Sequence, residues 1–158
     1  MGTYLKQLTD KRYMYFNKES GEKEEGERDP LTQQVIGCAI EVHRTLGPGL
    51  LESTYEKCLA HELKLAGLPF TNQAVMPIDY KGITLDCGYR LDFLIDDYLV
   101  VELKAVEQLL PIHQAQVITY MKLAEAPVGL LINFNVKLLK DGIRRLFPSP
   151  SLSSLTSL

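Results

Sequence analysis

The stretch YRLDFLIDDYLVVELKA, from Tyr89 to Ala105, constrains the fold more than any other. Period-two alternation marks a strand with two unlike faces, and it runs through Tyr89–Ile95 and again through Leu99–Ala105. Leu91, Phe93 and Ile95 share one parity with Leu99, Val101, Leu103 and Ala105. The other parity carries Arg90, Asp92 and Leu94, then Val100, Glu102 and Lys104. A two-residue turn at Asp96-Asp97 would pair Ile95 with Tyr98 and mix the faces. A three-residue loop over Asp96-Asp97-Tyr98, or an equivalent bulge, pairs Ile95 with Leu99 and keeps the apolar parity together. In that register Asp92 stands opposite Glu102, with Lys104 one pleat further on.

Acids and lysines on an open sheet face are ordinary, and composition alone favours a solvated face. Two features argue otherwise. Leu94 and Val100 lie on the same parity as the charges, and the strands are rich enough in Val, Leu and Ile to be covered on both sides. Like charges directly opposed across a strand pair are destabilising unless something sits between them. Hard carboxylate oxygens suit Mg²⁺ or Mn²⁺.

Asp92, nine intervening residues, then Glu102-Leu103-Lys104 resembles the core signature of the PD-(D/E)XK nuclease superfamily. Upstream, Gly49-Leu50-Leu51-Glu52-Ser53-Thr54-Tyr55 matches the motif of the GxxExxY family, which is placed in that superfamily. The surrounding text is similar as well: AIEVHRTLGPGLLESTYEKCL, GYRLDFLI, VVELKAV, PIHQAQVITYMKL and GLLINFNVKLLKDGI. The resemblance runs from Leu31 to Leu146. It implies an α/β fold with a restriction-endonuclease-like core, a central mixed sheet flanked by helices.

The residues divide the chain compatibly. At 158 residues it holds one core and not two comfortable domains. Residues 1–30, with the block KESGEKEEGERD, read as a mobile charged extension, with a short helix around Tyr4–Tyr15. Residues 31–147 form the domain, and 148–158 are a low-complexity tail. Within the domain, Val35, Ile36, Ala39, Ile40, Val42 and Leu46 predict a helix over Thr32–Leu46, stopped by Gly47-Pro48-Gly49. A second helix over Leu50–Ala66 has Leu51, Tyr55, Leu59, Leu63 and Ala66 as its buried stripe. Strands are expected at Gln73–Asp79 and Ile83–Leu85, pairing with the hairpin, with Pro77 at an edge or bulge. Pro111 starts a helix to about Ala124, Val128–Phe134 is a buried strand, Val136–Leu139 is short and irregular, and Ile143–Phe147 is a last strand.

Composition sets limits on function. The net charge of −3 rules out coating nucleic acid by bulk charge, so any such contact is local. No apolar run approaches a membrane span, and the N-terminus is charged rather than signal-like. Cys38, Cys58 and Cys87 are odd in number with no CxxC pair, which points to reduced thiols in a cytoplasm.

The resemblance implies phosphodiester hydrolysis of nucleic acid, with DNA as the favoured partner. Asp92, Glu102 and the carbonyl of Leu103 would hold Mg²⁺ or Mn²⁺, and Lys104 would orient the attacking water or steady phosphate charge. Glu52 would add an acid from the second helix, although an acid in a first helical turn also complements the macrodipole. Gln116 and Tyr120 resemble a QxxxY element beside the site, although a polar stripe on a surface helix is ordinary. Lys137, Lys140, Arg144 and Arg145 form a basic cluster suited to a phosphate backbone. Tyr55 reads as packing as readily as chemistry, and His43 could face the same cleft, although a lone histidine near a helix end is more often structural. A nuclease-fold binding or assembly module, cleavage of a smaller phosphodiester, and a salt-bridge scaffold remain alternatives, and a homodimer is left open.

Overall fold

The computed structural model describes residues 29–148, so residues 1–28 of the proposed 1–30 extension, with its Tyr4–Tyr15 helix, and residues 149–158 of the proposed 148–158 tail lie outside the described residues. Helix α1 spans Pro30–Leu46, two residues earlier than the pattern predicts. Its start is fixed chemically. Asp29 Oδ1 accepts from the Leu31 amide at 3.0 Å, Oδ2 accepts from the Thr32 hydroxyl at 2.6 Å, and Pro30 occupies the first turn, where no amide is needed. Asp29 and Pro30 therefore belong to the domain and not to the extension.

After the Gly47-Pro48-Gly49 corner, α2 spans Glu52–Leu65. Gly47 (φ 69°) and Gly49 (φ 96°) take left-handed backbone that a side chain would resist. Tyr55 closes this corner: its hydroxyl donates to the Gly47 carbonyl at 2.6 Å and accepts from the Leu50 amide at 3.1 Å. Its ring stacks on Phe134 with centroids 4.4 Å apart. Tyr55, Leu59 and Leu63 are buried as the periodicity predicts, but Leu51 and Ala66 are exposed, because both stand as caps outside the helix proper.

The central sheet has the order β1-β4-β5-β6-β7, built from Phe70–Val75, Arg90–Ile95, Leu99–Lys104, Val128–Asn133 and Ile143–Leu146. Only β5 and β6 are parallel, and the crossover between them is α3, Pro111–Leu123. The sheet is thus mixed. Strands β2 (Ile78–Tyr80) and β3 (Ile83–Leu85) pair with each other and form a separate two-stranded sheet, so only β1 joins the hairpin. Pro77 falls between β1 and β2, where its missing amide breaks the predicted single strand in two.

Strand parity sorts the core. Phe93, Ile95, Leu99, Val101, Leu103, Leu130 and Ile132 pack under α1 and α2, while Val100 and Leu131 pack under α3 with Val117 and Met121. Helix α3 lies close to β6 at Gly129, where a Cβ would run into Met121 Sδ and Val117 Cγ1. Gly129→Val should therefore destabilise the domain by roughly 1–3 kcal/mol. Urea denaturation checks this, with Gly129→Ala expected to be milder because the methionine can swing. No helix among the described residues is long and apolar enough to cross a membrane.

Candidate active site

Residues Phe93↔Val101, Leu94↔Val100 and Ile95↔Leu99 are partners, so the loop has three residues, and Asp96 (φ 52°) and Asp97 (φ 49°) provide its left-handed turn. One step further the pairing stops. Continuing the register would place Asp92 across from Glu102, but the Leu103 amide is taken by the Asp92 carboxylate instead, Oδ2 accepting at 2.8 Å. Leu91 also departs from the alternation. It is buried with Val100 and Leu131 on the α3 side, away from Phe93. The two strands separate here, and a carboxylate fills the gap. A strand residue directs its N–H and C=O to the same edge, so the Leu103 carbonyl points toward that gap too.

Glu102 and Lys104 share the parity of Val100 and face the α3 side. Both acids are almost fully buried, Asp92 at 8% and Glu102 at 5% exposure. Lys104 Nζ lies 3.7 Å from Glu102 Oε1. Glu102 Oε2 is buried and has no hydrogen-bond partner among the described residues.

Burial pushes the Asp92 carboxyl up to about 6; the Leu103 amide opposes this, and the Glu56 and Glu52 charges add to it. Burial and then the Asp92 charge push Glu102 up to about 8, against the pull of Lys104. The two acids titrate as a pair and resist being ionised together. An orphaned buried carboxylate oxygen next to a second carboxylate is what a hard divalent cation satisfies. Among the described residues no three His, Cys, Asp or Glu side chains gather closely enough to hold a metal. The donor set is thus two carboxylates, with main-chain oxygen and solvent to complete it, and it fits Mg²⁺ or Mn²⁺.

Glu52 opens α2 and acts on both acids through its charge, without joining them in a three-acid cluster. Gln116 Nε2 donates to the Tyr120 hydroxyl at 3.1 Å. Tyr120 is buried, its phenol is pushed up chiefly by burial, and it feels the charges of Glu102 and Asp92. Tyr120, with Gln116 hydrogen-bonded to it, thus packs in the α3-side core within electrostatic reach of the acids. The four basic residues do not form one cluster. Arg144 and Arg145 are neighbours on β7 and point to opposite faces. Arg145 lies 3.6 Å from Asp29 Oδ2 and ties β7 to the start of α1, while Arg144 lines a groove with Glu107, Gln108 and Asn133. Lys137 and Lys140 are exposed.

His43 has a structural role, its Nε2–H donating to the Val136 carbonyl at 2.8 Å. Several residues at the site carry no signature in the sequence. Glu56 Oε1 accepts from Asn72 Nδ2 at 2.9 Å and from Gln73 Nε2 at 2.7 Å, and Gln73 Nε2 also reaches Asp92 Oδ1 at 3.3 Å. The one available signal for Glu56 is its place one turn after Glu52 on the same helical face. Asn133 is buried, its amide donates to the Val106 carbonyl at 2.9 Å and its Oδ1 accepts from the Val106 amide at 3.1 Å, so it fixes the chain leaving Lys104.

A model of the PD-(D/E)XK nuclease superfamily matches residues 29–146. Among solved structures, an alkaline exonuclease from Laribacter hongkongensis is similar at 14% identity and a TM-score of 0.40, covering 78% of this chain and 86% of its own. The protein SSO0001 is similar at 16% identity and a TM-score of 0.35, covering 98% of this chain and 82% of its own. No curated protein matches the sequence.

Proposed function

Because the chain belongs to the PD-(D/E)XK nuclease superfamily, we propose that it hydrolyses phosphodiester bonds of nucleic acid, DNA in the first instance, with Mg²⁺ or Mn²⁺ at Asp92 and Glu102. The observation that carries this reading is the buried, mutually repelling acid pair with one orphaned oxygen and Lys104 beside it. Asp92, Glu102 and the Leu103 carbonyl would hold the ion. When bound, it supplies Lewis-acid activation of water and neutralisation of phosphate charge. Lys104 orients the attacking water and places a positive charge against the developing oxyanion. Glu52 acts through solvent at the rim and disfavours loss of the ion by its charge. Gln116 and Tyr120 donate toward a phosphate oxygen. Arg144, with Lys137 and Lys140, follows the backbone, and Arg145 is excluded from that role by Asp29. The narrower likeness to the GxxExxY family is supported by Gly49, Glu52 and Tyr55, whose tyrosine closes the glycine corner.

The test is a panel of labelled single- and double-stranded DNA and RNA with Mg²⁺ or Mn²⁺, run beside Lys104→Ala. Lys104→Ala should keep metal binding and lose roughly 10²-fold or more in turnover. Lys104→Arg should not restore full activity, since a guanidinium fork cannot replace a compact ammonium. Equal cleavage by wild type and Lys104→Ala would point to a contaminant and favour a nuclease-fold binding module.

A further inference from the structure

Strand β1 is irregular at one position. Asn72↔Phe93 and Ala74↔Leu91 are partners, whereas Gln73, between them and across from Asp92, is not paired. Its backbone is left-handed, φ 55°, in the middle of a strand. A non-glycine residue holds such a conformation only when its surroundings over-determine it. Here they do. Gln73 Nε2 donates to Glu56 Oε1 at 2.7 Å and lies 3.3 Å from Asp92 Oδ1. Asn72 Nδ2 donates to the same Glu56 oxygen at 2.9 Å and to the Asp92 carbonyl at 2.8 Å.

Asp92 is thus gripped at three points. The Leu103 amide takes Oδ2, the Gln73 amide takes Oδ1, and Asn72 takes the main chain. Glu56, half-buried on α2, gathers both amides and fixes which way the Gln73 NH₂ group faces. The Glu56 contact is the shorter of the two that the Gln73 amide makes, 2.7 Å against 3.3 Å to Asp92, so Glu56 anchors the amide beside Asp92. Its position across from Asp92 puts Gln73 on the same side of the strand pair as that acid.

We infer that Gln73 is a positioning residue for the metal site: aimed by Glu56, its amide holds the Asp92 carboxylate in the orientation that binds the cation. This rests on the metal site proposed above. Neighbours that orient a ligand typically change metal affinity by about 10–100-fold when removed. The left-handed backbone at Gln73 coincides with this contact to Asp92.

Mn²⁺ binding, measured by calorimetry on the full chain, tests the inference together with the melting temperature of the metal-free protein. Gln73→Gly suits the left-handed backbone but has no amide. Its metal-free melting temperature should stay within about 3 °C of wild type, while its Mn²⁺ Kd weakens by about tenfold or more. Gln73→Asn also tolerates the backbone, and its amide is one methylene too short. It should weaken Mn²⁺ binding similarly, which keeps the test valid should the glycine variant fail to fold. Glu56→Gln keeps an acceptor oxygen for Gln73 and should bind Mn²⁺ within about threefold of wild type, well short of the loss expected when the orienting amide is gone. Wild-type affinity in both Gln73 variants would overturn the inference and leave the metal site standing. A loss in Glu56→Gln as large as in Gln73→Gly would overturn it too, because Glu56 would then act by its own charge. Absence of Mn²⁺ binding by wild type would overturn the inference and the proposed metal site together.

Discussion

Glu102→Gln should abolish Mn²⁺ binding and cleavage together, and should make the metal-free protein more stable at neutral pH and above. The acid is buried next to Asp92, and the two charges repel in a poorly solvated gap. Removing one leaves a single carboxylate, a poor site for Mg²⁺, and relieves the other. Asp92 is not equivalent, because its Oδ2 also satisfies the buried Leu103 amide. Asp92→Ala strands that donor and should destabilise by about 1–3 kcal/mol. Asp92→Asn keeps an acceptor and should hold its stability, although it too loses the metal. Urea denaturation of the three variants, beside metal titration, separates repulsion from hydrogen bonding.

The second large effect is on pH dependence. Both carboxyls are raised in the folded protein, to about 6 for Asp92 and about 8 for Glu102, chiefly by burial. Below the ordinary carboxylate range near pH 4 they are protonated whether folded or not, and contribute nothing to the slope. As pH rises the unfolded chain releases its protons first, so the folded state binds more of them. Stability contributed by the pair therefore falls with rising pH, from about 4 until about 8, and is flat beyond. A tenfold weaker acid in the folded state corresponds to roughly 1.4 kcal/mol once the group is ionised, so the pair costs the metal-free protein a few kcal/mol by pH 8. A divalent ion should cancel the trend, since it binds the ionised pair and competes with protons. Denaturation curves at pH 5 and pH 8 should diverge without metal and converge with saturating Mn²⁺. The Glu102→Gln protein should show a flatter profile and little response to Mn²⁺.

Much of this site is legible in the sequence, and the illegible part has a physical cause. Alternation together with the requirement that Ile95 face Leu99 sets the hairpin register, because a one-residue slip would turn the apolar face to water. The helices follow from their periodicity, and α3 from Pro111. Alternation assumes that the ladder continues, however, and it ends at Phe93↔Val101. Leu91 therefore turns to the α3 core, and the Asp92 carboxylate takes a place that a backbone carbonyl would hold in a regular pair. Gln73 could not be foreseen for the same reason: nothing in the text Thr71-Asn72-Gln73-Ala74 marks a left-handed residue, and its side-chain partner Glu56 lies on another element. The ion pair of Arg145 with Asp29 joins the two ends of the described chain and has no local signal. That Arg144 and Arg145 face opposite ways, by contrast, follows from strand parity alone.

Isothermal calorimetry of Mn²⁺ binding at pH 7, in two buffers of different ionisation enthalpy, shows whether Asp92 and Glu102 form the metal site. Asp92 and Glu102 are poised so that the metal-free pair retains a proton at that pH. Binding by the wild-type protein should therefore release about one proton per ion, and Glu102→Gln should bind no Mn²⁺. Wild-type binding without proton release, or undiminished binding by Glu102→Gln, would place the metal elsewhere than between Asp92 and Glu102.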